Sequence, residues 1–117
     1  VPYTAYCARK SYLDSYPDII QKFTNALQKG MQYVNTHSSE EIAKTIQPQF
    51  PETPLENIIA IIERYKAQDT WKNDLIFEKS SFELLQNILE EAGELNTRVL
   101  YEKLVTTEFA EKAKEAS

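Results

Sequence analysis

The sequence predicts a mostly α-helical segment, one N-terminal strand followed by five to seven helices. Three observations predict it. Beyond residue 17, apolar residues recur at spacings of three and four, the period of one helix face. Ser or Thr stands three residues ahead of Glu at three places where such a stripe begins, the pattern of a capping box. Only the opening run, Val1–Ala8 (VPYTAYCA), is short, aromatic and β-branched enough to read as a strand.

Each element has its reason. In the strand, alternation places Thr4 on the face opposite Tyr3. A lone strand leaves its N–H and C=O groups without ladder partners, so its partners are expected on another chain or in a part of the protein beyond this one. Ser11–Ser15 is a short helix that must end before Pro17, because the residue ahead of proline avoids the α region. Pro17 then suits the first turn of a long helix, whose stripe is Ile20, Phe23, Leu27, Met31 and Val34. Gly30 inside this helix costs about 1 kcal/mol relative to alanine, and close packing at that point is the expected reason. Ser38 with Glu41 opens a helix carrying Ile42 and Ile46, stopped near Pro48. Thr53 with Glu56, and Pro54 at the first helical position, opens a helix through Ile58, Ile59, Ile62 and Tyr65. That run is apolar over more than half its circumference, which predicts a central helix covered on two sides. Ser80 with Glu83 opens a helix through Leu85, Ile88 and Leu89, ended by Gly93 at the C′ position. A helical turn near Tyr101–Val105 precedes a last helix starting at Thr106 or Thr107 and using Phe109, Ala110 and Ala113. Gln47–Glu52 and Asp69–Lys79 read as loops.

Composition excludes several function classes. At 117 residues the chain is one domain or part of one. With 42% apolar and 26% charged residues it is no disordered tail. A net charge of −5 argues against nucleic acid or an anionic membrane as the main partner. Two glycines, against roughly eight at average usage, cannot write a Gly-rich phosphate loop. No apolar run is long enough to span a bilayer. The chain opens on Val1-Pro2-Tyr3 without Met or a signal segment, so an N-terminal portion removed by processing or trimming, or a fragment, is expected.

The residues able to carry chemistry are few. His37 and Glu41 lie four apart, a metal-binding spacing on a helix face, but His37 precedes the Ser38 cap and Glu41 already serves the capping box. One His leaves no room for a His-rich site, and no metal is expected. Glu90, Glu91 and Glu94 flank the turn at Gly93 and read as a solvated face rather than an acid/base pair. Cys7 would need a base and an electropositive pocket to act as a nucleophile; a buried, inert thiol is expected. Trp71 is expected to anchor its loop by burying its indole, the other role being to stack on a ligand. The hydroxyls of Tyr3, Thr4 and Tyr6 at a strand end are the candidates for meeting a ligand. No catalytic residue and no cofactor is expected.

Several runs taken together resemble a known family in order and spacing. They are Pro2-Tyr3-Thr4-Ala5-Tyr6, Tyr16-Pro17-Asp18, Lys22-Phe23-Thr24-Asn25-Ala26 and His37-Ser38-Ser39-Glu40-Glu41-Ile42-Ala43. Further on come Tyr65-Lys66 with Asp69-Thr70-Trp71, then Ala92-Gly93-Glu94-Leu95, and Leu104-Val105 with Phe109-Ala110. Over essentially its whole length the chain resembles the C-terminal third of the nitrate/sulfonate/taurine-type solute-binding proteins of ABC importers, a family that includes binding proteins for thiamine pyrimidine precursors.

The resemblance implies a two-lobed α/β periplasmic-binding-protein-like (type II) fold, of which residues 1–117 would be the C-terminal part of lobe 1. Lobe 2 and the N-terminal part lie outside this chain. It implies capture of a small solute (nitrate, a sulfonate, taurine or a pyrimidine) between the lobes and delivery to ABC permease subunits. It implies a periplasmic or lipid-anchored, extracytoplasmic location. Tyr3 and Thr4 would be the ligand-cleft neighbours carried by this piece, and Tyr3–Ala8 would complete the sheet of lobe 1. Alone, the piece is expected to bind solute poorly and to dimerise through its unpaired strand. The alternatives are a thiamine-pyrimidine-synthase-like enzyme of the same fold, which one His and one Cys disfavour, and a free-standing helical interaction domain.

Overall fold

The computed structural model describes residues 4–117, and every described regular element is helical. In chain order these are α1 (Lys10–Ser15), α2 (Pro17–Thr36), α3 (Ser39–Ile46), a 3₁₀ turn (Gln47–Gln49), α4 (Leu55–Ala67), α5 (Lys79–Glu91), α6 (Tyr101–Leu104) and α7 (Glu108–Glu115). The strand expected over Val1–Ala8 is not formed in its described part. Residues 4–9 are irregular, and a strand exists only as part of a ladder, for which no second extended segment is present among the described residues.

The helix boundaries follow local chemistry. Pro17 opens α2 as expected. The capping box of α3 is complete: Ser38 Oγ accepts from Glu41 N–H at 3.1 Å, and Glu41 Oε2 accepts from Ser38 N–H at 3.0 Å. The other two boxes do not form. Helix α4 starts one residue later than expected, with Pro54 as its N-cap, so Glu56 falls at the second position and cannot reach back. Helix α5 starts earlier, with Glu78 as N-cap, which leaves Ser80 inside the first turn. Gly93 has φ 76°, as its C′ position requires. Around it Glu94 N–H reaches Leu89 O at 2.8 Å and Gly93 N–H reaches Glu90 O at 3.0 Å, a Schellman closure. Helix α4 ends the same way without glycine. Asp69 takes φ 52°, while Thr70 N–H bonds Tyr65 O and Asp69 N–H bonds Lys66 O, both at 3.1 Å.

The main core lies between α3 and α4. Ile42, Ala43, Ile58 and Ile62 are buried, with Tyr33, Val34, Ile46, Leu55, Ile59 and Trp71 packed around them. The expectation that α4 is covered on two sides is not met: Ile61 and Tyr65 on its outer face are 48% and 44% exposed. A second cluster joins α5 and α6, where Phe82 is buried between the rings of Phe77 and Tyr101. A third contact lays α7 along α2 through buried Ala110 and Ala113.

The apolar stripe expected on α2 is turned inward over most of its length: Ile20, Leu27, Met31 and Val34 are half-buried, Val34 against the α3–α4 core, while Phe23 is exposed. At 100° per residue, Ile19, Phe23, Ala26 and Gly30 form one stripe, and all four are exposed. The amides of Gln21, Asn25, Gln28, Gln32 and Asn35 form a stripe about 180° away. On that stripe Gln28 is only 3% exposed. The close packing expected at Gly30 is absent, since no atom lies within 4 Å of where its Cβ would stand.

The chain is expanded for its size. Its radius of gyration is 17.0 Å, against about 13 Å for a compact domain of this length. Its accessible surface is 9059 Å², against about 6,500 Å² for a compact monomer of this mass. Roughly 2,500 Å² that a closed domain would bury is open.

Candidate functional site

The residues singled out from the sequence are not brought together. Tyr3 lies outside the described residues. Thr4 is exposed in the irregular lead-in to α1. Tyr6 sets its ring edge against Phe23 at 5.1 Å between centroids, which ties the lead-in to the open face of α2. Cys7 is exposed, contrary to the buried thiol expected, because the segment carrying it packs into no core.

His37 and Glu41 have structural partners. His37 is the residue after α2; its ring stacks on Tyr33 at 3.7 Å, and its Nδ1 lies 2.9 Å from Tyr33 O, which makes Nδ1 the protonated donor. Lys66 Nζ donates to His37 O at 2.7 Å, placing a cation at the negative end of α2. Glu41 is held below the usual carboxylate range, chiefly by the Ser38 N–H it accepts. Glu90 lies 3.7 Å from Arg98 on the surface, and Glu91 and Glu94 are exposed beside it. Among the described residues no group of three His, Cys, Asp or Glu side chains is placed to hold a metal.

Two open depressions mark the surface. The first, about 230 Å³, lies where the ends of α2 and α4 meet and is lined by Val34, Asn35, Lys66, Asp69, Thr70 and Trp71. Trp71 is the loop anchor its sequence context predicts: half-buried, packed on the α3–α4 core, with its ring edge-on to Tyr65 at 5.6 Å. The second, about 540 Å³, runs between α6 and α7 and is acidic, lined by Glu102, Glu108, Glu111 and Glu115 with Lys112 and Tyr101. Burial, followed by the charges of Glu111, Glu102 and Glu78, pushes the Tyr101 phenol up. Its hydroxyl donates to Phe77 O.

What sequence reasoning missed is a set of amides that fasten the loops. Gln21 Nε2 donates to Phe109 O at 3.0 Å, Gln28 Nε2 to Asn73 O at 3.3 Å and Asn35 Nδ2 to Lys72 O at 2.9 Å. Gln86, 4% exposed, both donates to Val99 O at 3.0 Å and accepts from Val99 N–H at 2.7 Å. The spacing 21, 25, 28, 32, 35 reads from sequence as a solvated face, yet three of the five amides, Gln21, Gln28 and Asn35, bond backbone carbonyls.

No protein-family model matches the chain, and no solved structure matches it. A curated relative does. The protein of Bacillus subtilis (strain 168) named "Putative binding protein YtlA" is 40% identical over 112 residues. The match takes in 96% of this chain and 34% of that protein. The chain thus spans about a third of the length of the curated relative it matches. It is related to a protein named for binding.

Proposed function

We propose that the chain is the C-terminal part of lobe 1 of a two-lobed α/β solute-binding protein. The whole protein captures a small solute and passes it to ABC permease subunits outside the cytoplasm. The observation that carries the reading is apolar surface left open on α2. Ile19 and Phe23 stay exposed beside its half-buried stripe, and a covering layer would remove them from water. The outer face of α4 and the roughly 2,500 Å² of excess surface ask for the same cover. A lobe supplied by the rest of a longer chain provides it. The name of the relative supports binding as the role, and the order of motifs supports nitrate, sulfonate, taurine or pyrimidine as the solute class.

Function in such a protein needs no bond chemistry. The ligand drives lobe closure by binding the closed state more tightly than the open one. Thr4, on the exposed lead-in, would approach the cleft only when the remainder of the sheet draws residues 4–8 into a ladder.

The test is a thermal-shift and calorimetric screen of the full-length gene product against nitrate, taurine, an alkanesulfonate and an aminopyrimidine. One of these should raise Tm in a concentration-dependent way, without product formation, and residues 1–117 alone should respond to none. Turnover of a pyrimidine precursor would replace this reading with the synthase-like enzyme. A full-length protein that binds no small solute but captures a protein would replace it with an interaction domain.

A further inference from the structure

We propose that α7 is a displaceable strap, docked over the amide stripe of α2 and able to leave it without unfolding the α3–α4 core. Helix α7 has eight residues, too few to persist alone in water, so it stays helical only while docked. Its buried side chains are two alanines, Ala110 and Ala113, which remove little apolar surface from water. Phe109 is half-buried beside them, and the other ties are polar. Gln21 Nε2 donates to Phe109 O at 3.0 Å, and Lys114 Nζ pairs with Asp74 Oδ2 at 3.1 Å near the surface.

Docking also leaves a defect beneath it. The Gln21 and Gln28 side-chain oxygens, on the stripe covered by α7 and the 72–74 loop, are shut off from solvent and have no hydrogen-bond partner among the described residues. Unpaired buried acceptors oppose closure. When the strap lifts, both oxygens regain water, and the Gln21 Nε2 donor that now bonds Phe109 O becomes free for another backbone segment. The α3–α4 core is built from other residues, none of them on α7. Its integrity is therefore separable from the state of the strap.

The experiment is hydrogen exchange by mass spectrometry on the 117-residue chain, with Trp71 fluorescence as a reporter of the α3–α4 core. Amides of α7 should exchange at least about tenfold faster than those of α3 and α4. The Ala113→Arg variant should abolish α7 protection while leaving α3–α4 exchange and Trp71 emission unchanged. Lys114→Ala should speed α7 exchange alone, and so should added salt, through screening of its pair with Asp74. Equal exchange rates for α7 and the α3–α4 core in the parent sequence would overturn the proposal. So would a Trp71 red shift or opened α3–α4 amides in Ala113→Arg, since either would make α7 an integral part of the core.

Discussion

Replacing Gly30 by alanine separates two accounts of the same helix. In the 117-residue chain the new methyl group meets nothing within 4 Å, so no clash opposes it. Glycine inside a helix is less favourable than alanine by about 1 kcal/mol, part of which is the extra freedom it gives the unfolded chain. The methyl would gain no packing, so Gly30→Ala should stabilise the isolated chain by about 1 kcal/mol, raising Tm by about 4 °C for a chain of this size. The assay is thermal and urea unfolding followed by circular dichroism at 222 nm. The same substitution in the full-length protein should do the reverse, because Gly30 extends the open stripe of Ile19, Phe23 and Ala26, where close approach by the rest of lobe 1 would leave no room for a Cβ. Stabilisation of equal size in both proteins would refute the reasoning: nothing would then lie against that stripe, and the proposed cover would be elsewhere. A loss of stability in the isolated chain would refute it differently, by showing that Gly30 packs within these 117 residues.

Five other substitutions test the architecture. Ile62→Ala, in the α3–α4 core, should cost about 3 kcal/mol in urea unfolding and red-shift Trp71, which packs on the same cluster. Ser38→Ala removes the one complete capping box and should cost about 1 kcal/mol. Because Glu41 is held below its ordinary pKa of 4.5 by Ser38, its contribution is present above that value and fades as pH falls through the lower folded pKa. Glu41→Gln should therefore flatten the acid limb of the stability–pH profile. Asp69→Gly relieves a left-handed residue at the end of α4 and should stabilise by about 1 kcal/mol, whereas Gly93→Ala at the matching position of α5 should cost about the same. Differential scanning calorimetry of that pair, run together, checks the sign of both.

Much of the helical layout is legible in the sequence because it is fixed locally. Pro17, the Ser38–Glu41 box and Gly93 act within a turn of where they stand, and each acts as its chemistry predicts. The errors arise where a distant partner decides. Thr53–Glu56 and Ser80–Glu83 have the right spacing, but a shift of a residue or two in the helix start disarms both. The Ile58–Ile62 helix shares its core with α3 and with Tyr33 and Val34 of α2, yet leaves Ile61 and Tyr65 open. Cys7 looks like a core thiol by composition, yet it sits on a lead-in with no core to enter. The end of α4 is legible, since Asp69–Lys79 reads as a loop, but its chemistry is not: an aspartate does there what glycine does at residue 93. Of the candidate ligand contacts, Tyr3 lies outside the described residues and Thr4 is solvent-exposed, so the site is the least legible feature. A cleft between lobes is a property of residues far apart in sequence, and periodicity carries no information about it.

The orientation of α2 joins these observations into one argument. A helix chooses the face it buries by the balance of transfer free energies. Burying amides while exposing Ile19 and Phe23 is unfavourable unless the amides find backbone to bind and the apolar side is covered too. The first condition is met in part: the amide nitrogens of Gln21, Gln28 and Asn35 reach the carbonyls of Phe109, Asn73 and Lys72, while the oxygens of Gln21 and Gln28 have no partner among the described residues. The second is not, among the described residues. A helix with a half-buried apolar stripe and further large apolar side chains, Ile19 and Phe23, left open beside it fits a layer set between surface connections and a larger body. That body must present an apolar surface along about three turns, from Ile19 to Gly30. It must also reach Ile61 and Tyr65 on α4 or leave them to another element. Crosslinking from cysteines placed at Ala26 and Ile61 in the full-length protein would trace that body directly. Links to one contiguous lobe support the proposed parentage, and links only to second copies of the whole protein would assign the open face to an oligomer instead.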